Sequence, residues 1–289
     1  MRLIVFTCLS LAIAAPSTAR ALDRATLPAL NGHIYPVNII DGEDDRDSLL
    51  TLGPALGLSP EEIARIRKVS GYVGCFLPWP SVGASALFLS NRQILTAAHI
   101  LFQRSGKPRS KCFFKNQDSD PVMIDLLEGE GNVVAGSVRP KAGSNNDWAI
   151  ARLAAPVEDG VPFPVDPTPV TAGDTLIVVT AHPAGLAREL DKAVPVVQAC
   201  SIRRVAVSTG DTNFYRSDCD ATGSSSGGMH LARVGGELVY RGVTITSGDW
   251  QDRRLRGAPY NERRGSVTTA LSTDAAILEA GLAMAAGDF

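Results

Sequence analysis

Several features are scarce in this 289-residue chain, and each scarcity removes a class of function. No apolar run is long enough to span a bilayer: the longest, Leu3 to Ala15, falls short of the roughly 18–20 residues a membrane helix needs. Charge of one sign is also missing. With 28 Lys and Arg against 30 Asp and Glu, the net charge is −2, so nothing draws the chain as a whole to nucleic acid or an anionic membrane. There are five cysteines and four histidines, with no C-x-x-C or H-x-x-x-H spacing, which argues against a zinc site. No internal repeat is visible, so a solenoid or propeller is not indicated.

Residues 1–21 have the pattern of an export signal. Arg2 supplies the positive start, Leu3 to Ala15 the apolar stretch, and Ala19-Arg20-Ala21 the small-x-small cleavage pattern. The mature protein is therefore expected to be secreted or periplasmic. Cys8 would leave with the signal, and Cys75, Cys112, Cys200 and Cys219 would remain. An even number in an oxidising compartment predicts two disulfides, and four cysteines allow three pairings.

Residues 22–68 read as an N-terminal extension or prosegment. A helix is predicted near its end, because Ser59 can cap it, Pro60 suits its first position and Glu62 completes a capping box, with Ile63 and Ile66 facing the protein body. From residue 69 the chain becomes short apolar runs rich in β-branched residues and broken by Gly, Pro, Asn and Asp. They include Ala84 to Leu89, Ile94 to Ala97, Trp148 to Leu153, Thr175 to Thr180, Ile202 to Val207 and Leu238 to Thr246. Such runs predict an all-β barrel or sandwich. A proline cluster from Pro156 to Pro169 divides a first half, 69–160, from a second, 161–289. A helix is predicted at the end, capped by Ser272 or Thr273, with Ile277, Leu278 and Leu282 on one face.

Three contexts carry chemistry: His99 in Ile94-Leu95-Thr96-Ala97-Ala98-His99, Asp147 in Asn146-Asp147-Trp148-Ala149-Ile150-Ala151, and Ser226 in Gly223-Ser224-Ser225-Ser226-Gly227-Gly228. A serine hydroxyl is a weak nucleophile until a histidine takes its proton, and a carboxylate can fix that histidine's tautomer. In the order His, Asp, Ser, these motifs resemble the chymotrypsin/trypsin-like serine peptidases over roughly residues 70–275. Asp41-Gly42-Glu43-Asp44-Asp45-Arg46 is similar to a segment near the start of the bacterial V8-like, glutamyl endopeptidase-type branch.

The resemblance implies two six-stranded antiparallel β-barrels with a C-terminal helix against the second. His99 and Asp147 would come from the first barrel and Ser226 from the second. It implies a monomeric serine endopeptidase acting on protein or peptide substrates through an acyl-enzyme, with no cofactor, metal, nucleic acid or membrane partner. The favoured disulfides are Cys75–Cys112, whose loop would enclose His99, and Cys200–Cys219, which would brace the approach to Ser226.

Glycine directly after the nucleophile selects Ser226; Ser225 is the competitor, since it alone fits Gly-x-Ser-x-Gly. On the Ser226 alignment the oxyanion hole would be formed by the backbone N–H groups of Ser224 and Ser226, with Ser224 where the family has glycine. Ser225 replaces the aspartate that pairs with the new N-terminus of activated trypsin-like zymogens, although Ile39-Ile40-Asp41-Gly42 resembles such an N-terminus. Asp220, six residues before Ser226, matches the trypsin pocket aspartate and implies a preference for Arg or Lys. The glutamyl enzymes' Gly-Ile-His is replaced by Gly242-Val243-Thr244. Arg253, Arg254, Arg256, Arg263 and Arg264 read as a solvated basic loop, with attraction of acidic substrate residues or self-cleavage as alternatives.

Two other functions compete. A catalytically inactive binding module on the same fold is kept open by Ser224 and Ser225. An α/β-hydrolase centred on Ser225 would need a later histidine with an acid between them, and His230 follows too closely.

Overall fold

The computed structural model describes residues 37–180, 194–206, 213–248 and 257–287. The export-signal reading of 1–21, together with His33, His182, Arg253, Arg254 and Arg256, lies outside them. The first part of the described chain holds β1 (Val37–Asn38), β2 (Asp47–Ser48), α1 (Leu49–Leu52), α2 (Pro60–Val69), β3 (Ser70–Leu77), β4 (Ser81–Phe88), β5 (Ser90–Thr96), α3 (Ala98–Leu101), β6 (Ser110–Asn116), β7 (Met123–Asp125), β8 (Val133–Ala135) and β9 (Ala149–Arg152). The remainder holds β10 (Thr175–Thr180), β11 (Val196–Ala206), β12 (Phe214–Ser217), β13 (Ala221–Thr222), β14 (Met229–Val234), β15 (Glu237–Ser247), β16 (Thr268–Ser272) and α4 (Ala275–Ala286).

The strands form two seven-stranded antiparallel sheets in a chymotrypsin-like arrangement, with β1 and β13 forming a separate pair. The second closes: its order β10-β14-β15-β16-β12-β11 returns to β10, a six-stranded barrel, with β2 added beside β11. The first runs β7-β6-β3-β4-β5-β9-β8 and is only partly closed. The chain after β7 meets the chain after β9 at one bridge, Leu126 to Leu153, flanked by bonds from Leu127 N to Arg152 O (2.9 Å) and Ala154 N to Asp125 O (2.8 Å). Closure removes the exposed edges that would otherwise recruit other chains.

The disulfides observed are Cys75–Cys112 and Cys200–Cys219. The first links residues directly opposite in the β3–β6 ladder. The second lies in the core of the closed barrel with Leu176, Val178, Ile202 and Tyr215.

The helix at 60–69 forms as its sequence signals require. Ser59 Oγ accepts from Glu62 N (3.2 Å) while Glu62 Oε2 accepts from Ser59 N (2.8 Å), and Ile66 is fully buried. The C-terminal helix departs from expectation in three respects. Its cap position is Asp274, because Ser272 completes β16 and the Thr273 hydroxyl is spent on Tyr240 O. Its buried face is Ile277, Gly281 and Met284, whereas Leu282 is exposed. It also docks on the first sheet: a Cβ on Gly281 would sit 2.6 Å from Phe88 Cε1, Gln93 Nε2 donates to Gly281 O, and Arg152 donates to Met284 O. Missing side-chain bulk at 281 lets helix and sheet approach, so the face centred on glycine turns inward.

The N-terminal segment is not set apart from this body. β1 pairs with β13, β2 pairs with β11, and Asp41 N donates to Ala258 O (2.9 Å).

Candidate active site

His99 follows β5 in the one-turn helix α3. Thr96, at the end of β5, donates its hydroxyl to Ala84 O of β4 (2.8 Å), which fixes where the helix starts. Asp147 closes a loop immediately before β9, and its own N–H donates to Ser144 O (3.1 Å). Pairing of β5 with β9 brings the two residues together. Asp147 is fully buried; Oδ1 accepts from His99 N at 3.0 Å, while Oδ2 faces His99 Nδ1 at 2.8 Å and accepts from Gly143 N at 3.2 Å. A carboxylate at Nδ1 requires the proton there, which leaves Nε2 as the basic nitrogen. The imidazole is about a quarter exposed, so it keeps one face open to a substrate.

Ser226 lies in the turn between β13 and β14. Ser225 and Ser226 are treated differently. Ser225 is buried, and its hydroxyl accepts from Thr222 N at 2.9 Å and meets Thr222 Oγ1 at 3.3 Å. Ser226 is half-buried, and its hydroxyl donates to Ile245 O at 3.4 Å, a long contact. Ser225 thus braces the turn, and Ser226 is the serine offered outward.

Gly227 explains why glycine must follow. Its φ is +90°, and a Cβ there would stand 1.8 Å from Ala84 O. Its N–H donates to Thr244 O (2.7 Å), and Ala84 N donates to Ser224 O (3.1 Å). The serine turn is thereby pressed against β4 of the first sheet. On the other side, a Cβ on Gly143 would meet Thr246 Cγ2 at 2.7 Å. The loop that carries Asp147 therefore touches β15 one residue beyond Ile245, the acceptor of Ser226. These close approaches set the serine turn against the first sheet and the Asp147 loop against β15 of the second.

Among the described residues, neither Ser224 N nor Ser226 N donates to a protein acceptor, whereas Ser225 N is committed to Thr222 O (2.9 Å) and Gly228 N to Ser225 O (2.9 Å). The two amides expected to stabilise an oxyanion are therefore, together with Gly223 N, left without a protein acceptor in this turn.

Below the turn lies a buried polar chain that the sequence did not reveal. His230 in β14 has no exposure; its Nδ1 meets Tyr215 Oη at 2.6 Å and its Nε2 meets Thr244 Oγ1 at 2.7 Å. Burial pushes its pKa down to about 3, so this imidazole is neutral. Its register opposite Gly242 makes room: a Cβ there would collide with Tyr215 Oη.

Asp220 stands differently from the expected pocket carboxylate. It is 2 % exposed, and both oxygens are engaged by backbone amides of the N-terminal segment: Oδ1 by Ile40 N (2.7 Å) and Oδ2 by Asp45 N (2.9 Å). Gln198 clamps its own backbone from both sides (2.8 and 2.7 Å). Burial dominates its titration and raises its pKa to about 7, although the two amides pull the other way. The carboxylate ties residues 40–45 to the closed barrel; it is not held open for a substrate cation.

The trypsin-like peptidase domain family matches residues 84–239. The chain belongs to that family. Among solved structures, a Glu endopeptidase in complex with MPD shares the fold at 16 % identity, with a TM-score of 0.58 over 86 % of this chain and 99 % of that one. A thermostable serine protease, AL20, from an extremophilic microorganism gives a TM-score of 0.55 at 15 % identity, over 76 % of this chain and 99 % of that one. A search of curated protein sequences gives no significant match. Among the described residues of this trypsin-like peptidase, no helix is long and apolar enough to cross a membrane, and no cluster of three metal-ligating side chains occurs.

Proposed function

We propose that the chain is a serine endopeptidase whose nucleophile is Ser226. The observation that carries this reading is the His99–Asp147 pair, with Nδ1 at 2.8 Å from a fully buried carboxylate, together with a partly exposed Ser226 whose turn packs on β4 of the first sheet. His99 Nε2 takes the hydroxyl proton as Oγ attacks the peptide carbonyl. Asp147 stabilises the imidazolium that results. The Ser224 and Ser226 amides receive the developing oxyanion. His99 then passes its proton to the leaving amine, and water, deprotonated by the same nitrogen, releases the acyl group from Ser226. For this sequence the Ser226 hydroxyl must swing from Ile245 O to His99; catalytic hydrogen bonds are often unformed until substrate binds. Two disulfides support an oxidising, extracytoplasmic setting. The amide donors on Asp220 disfavour a preference for Arg or Lys, since a cationic side chain would have to displace both.

The contact of Ser226 with Ile245 O also favours a second reading, a binding module that no longer hydrolyses. Labelling with a serine-directed phosphonate, read by intact mass and peptide mapping, separates the two. The expected result is one adduct on Ser226, lost in Ser226→Ala and kept in Ser225→Ala. A folded protein that takes no label at all, or takes it on Ser225, overturns the proposal.

A further inference from the structure

Beside His99 the structure opens a cleft of about 670 Å³ with a strongly one-sided lining. Four of its lining residues are cations, Arg104, Arg109, Arg139 and Lys141, and none is acidic. A smaller cavity of about 340 Å³ adjoins it and shares Arg104 and Arg109. The chain as a whole is slightly acidic, so this concentration of positive charge is local.

Two separate segments build the cleft. One is the turn after α3, in which Gln103 N donates to Lys107 O and Gly106 N to Gln103 O (both 2.9 Å). The other is residues 139–142, which lead into Asp147. Gly106, at φ +89°, lets them close on each other: a Cβ there would lie 2.9 Å from Arg139 Cγ. The stem of Arg139 therefore rests on the turn that carries Arg104. Arg109 returns from the turn, its N–H bonded to Leu101 O (2.7 Å), and one guanidinium nitrogen donates to Trp79 O (3.1 Å). Its Nε is buried without any partner.

Like charges held together around one cleft repel one another, and a buried guanidinium N–H without an acceptor is costly. Burial accordingly pushes the Arg109 pKa down from its usual value, although it remains a cation. Among the described residues, none of the four forms an ion pair with a carboxylate; surface arginines elsewhere do, as Arg233 does with Glu62. No carboxylate among the described residues supplies the counter-charge, which an acidic ligand could provide. Because His99 is itself part of the lining, whatever enters the cleft lies within a few residues of the bond being cut, given about 3.3–3.6 Å of reach per extended residue.

We infer that the cleft formed by Arg104, Arg109, Arg139 and Lys141 beside His99 is a substrate subsite for an acidic side chain of the peptide. This rests on the peptidase reading of the site and adds a substrate class to it. Glu or Asp a short way from the scissile bond would be preferred there. The selectivity comes from loops of the first sheet, apart from the residues flanking Ser226.

The test uses the full chain carrying Ser226→Ala, so that binding is read without hydrolysis. Fluorescein-labelled decapeptides carry one Glu moved along an otherwise uncharged sequence, each matched by its Gln counterpart, and binding is followed by fluorescence anisotropy. At low ionic strength, at least one Glu register should bind about tenfold tighter than its Gln match. That advantage should fall below about threefold when Arg104→Gln and Arg139→Gln are combined, both residues being exposed enough to spare the fold, or when salt is raised to about 0.5 M. Arg92→Gln, an exposed charge away from the cleft, should leave it intact. Equal binding of every Glu and Gln pair, or a preference that survives the double variant, overturns the subsite. Hydrolysis by the unaltered protein is scored separately. A Glu preference in binding with no cleavage of any peptide would leave the subsite standing and sink the peptidase reading; cleavage with equal binding would do the reverse.

Discussion

Two buried aspartates anchor the two halves of this site, and they are used in opposite ways. Asp147, in the first sheet, is fully buried and has three donors: two backbone amides and the ring of His99. Asp220, in the second half, is 2 % exposed and meets only amides, those of Ile40 and Asp45. Arg46 is nearby, but its guanidinium is bound to Asp44 (2.8 Å). One of Asp147's partners can become a cation during a reaction; none of the donors on Asp220 can. Under the proposed mechanism the same side chain serves as an electrostatic device in one half, and it is a structural clamp in the other. The difference lies in what the fold places opposite it.

The largest effect should come from breaking the reactive half. Ser226→Ala should lower kcat/KM by about 10⁵-fold, because nucleophile and base act as a unit. Ser225→Ala should lower activity far less, and cost about 1–2 kcal/mol of stability through the lost acceptor for Thr222 N. Kinetics on a cleaved peptide together with urea unfolding would show both. Comparable activity losses from the two changes would contradict the separate tasks assigned to these serines. Next in size is Asp147→Asn. An amide at that position favours the wrong histidine tautomer, so kcat should fall by about 10⁴-fold with KM little changed. The corresponding change at Asp220 should leave kcat within about tenfold, since Asp220 touches neither His99 nor Ser226. A larger loss at 220 than at 147 would reverse the comparison.

The turn that joins the halves gives a third, purely structural contrast. Gly227→Ala forces a Cβ to 1.8 Å from Ala84 O at φ +90°, and should cost about 3 kcal/mol or more. Gly173→Ala meets the same positive φ, +97°, with nothing within 4 Å, and should cost only about 1 kcal/mol. Equal midpoints for the two variants in denaturant would show that backbone conformation, and not the approach of β4, fixes that glycine.

What could be read in advance follows the same division. His99 and Asp147 flank strands whose apolar patterns are local, so a short stretch of sequence singles out each, and the structure pairs them at 2.8 Å. Ser226 was chosen over Ser225 by the following glycine, and the clash with Ala84 supplies the physical reason. The backbone donors on Asp220 could not be read in advance, because they lie 175 to 180 residues away, in a segment that reads as an extension. The C-terminal helix was found, and so was Ile277 on its buried face, but Gly281 and Met284 were not: a glycine at the contact gives no apolar signal. His230 looked unremarkable alone, since Tyr215 and Thr244 reach it only through sheet register. The cationic cleft was invisible for a similar reason. Arg104 and Arg139 are 35 positions apart and belong to loops that meet only because Gly106 has no side chain.

The smallest effect, and the one that most sharpens the contrast, is the pH response of Asp220. Its folded pKa, about 7, stands above the roughly 3.9 of an unfolded aspartate. The folded chain therefore holds a proton that the unfolded chain has already released between about pH 4 and 7. Stability from this group is complete below the unfolded value and is lost as pH rises through 7. Asp220→Asn cannot ionise. The unfolding free energy of the unaltered protein should thus fall relative to that variant by about 2 kcal/mol between pH 5 and 8. Urea unfolding at each pH, on proteins carrying Ser226→Ala to prevent self-digestion, measures the difference. A pH-independent gap would mean that the Ile40 and Asp45 amides hold the carboxylate ionised throughout, and the clamp would then work by charge-assisted hydrogen bonding, as Asp147 does, and not in spite of its charge.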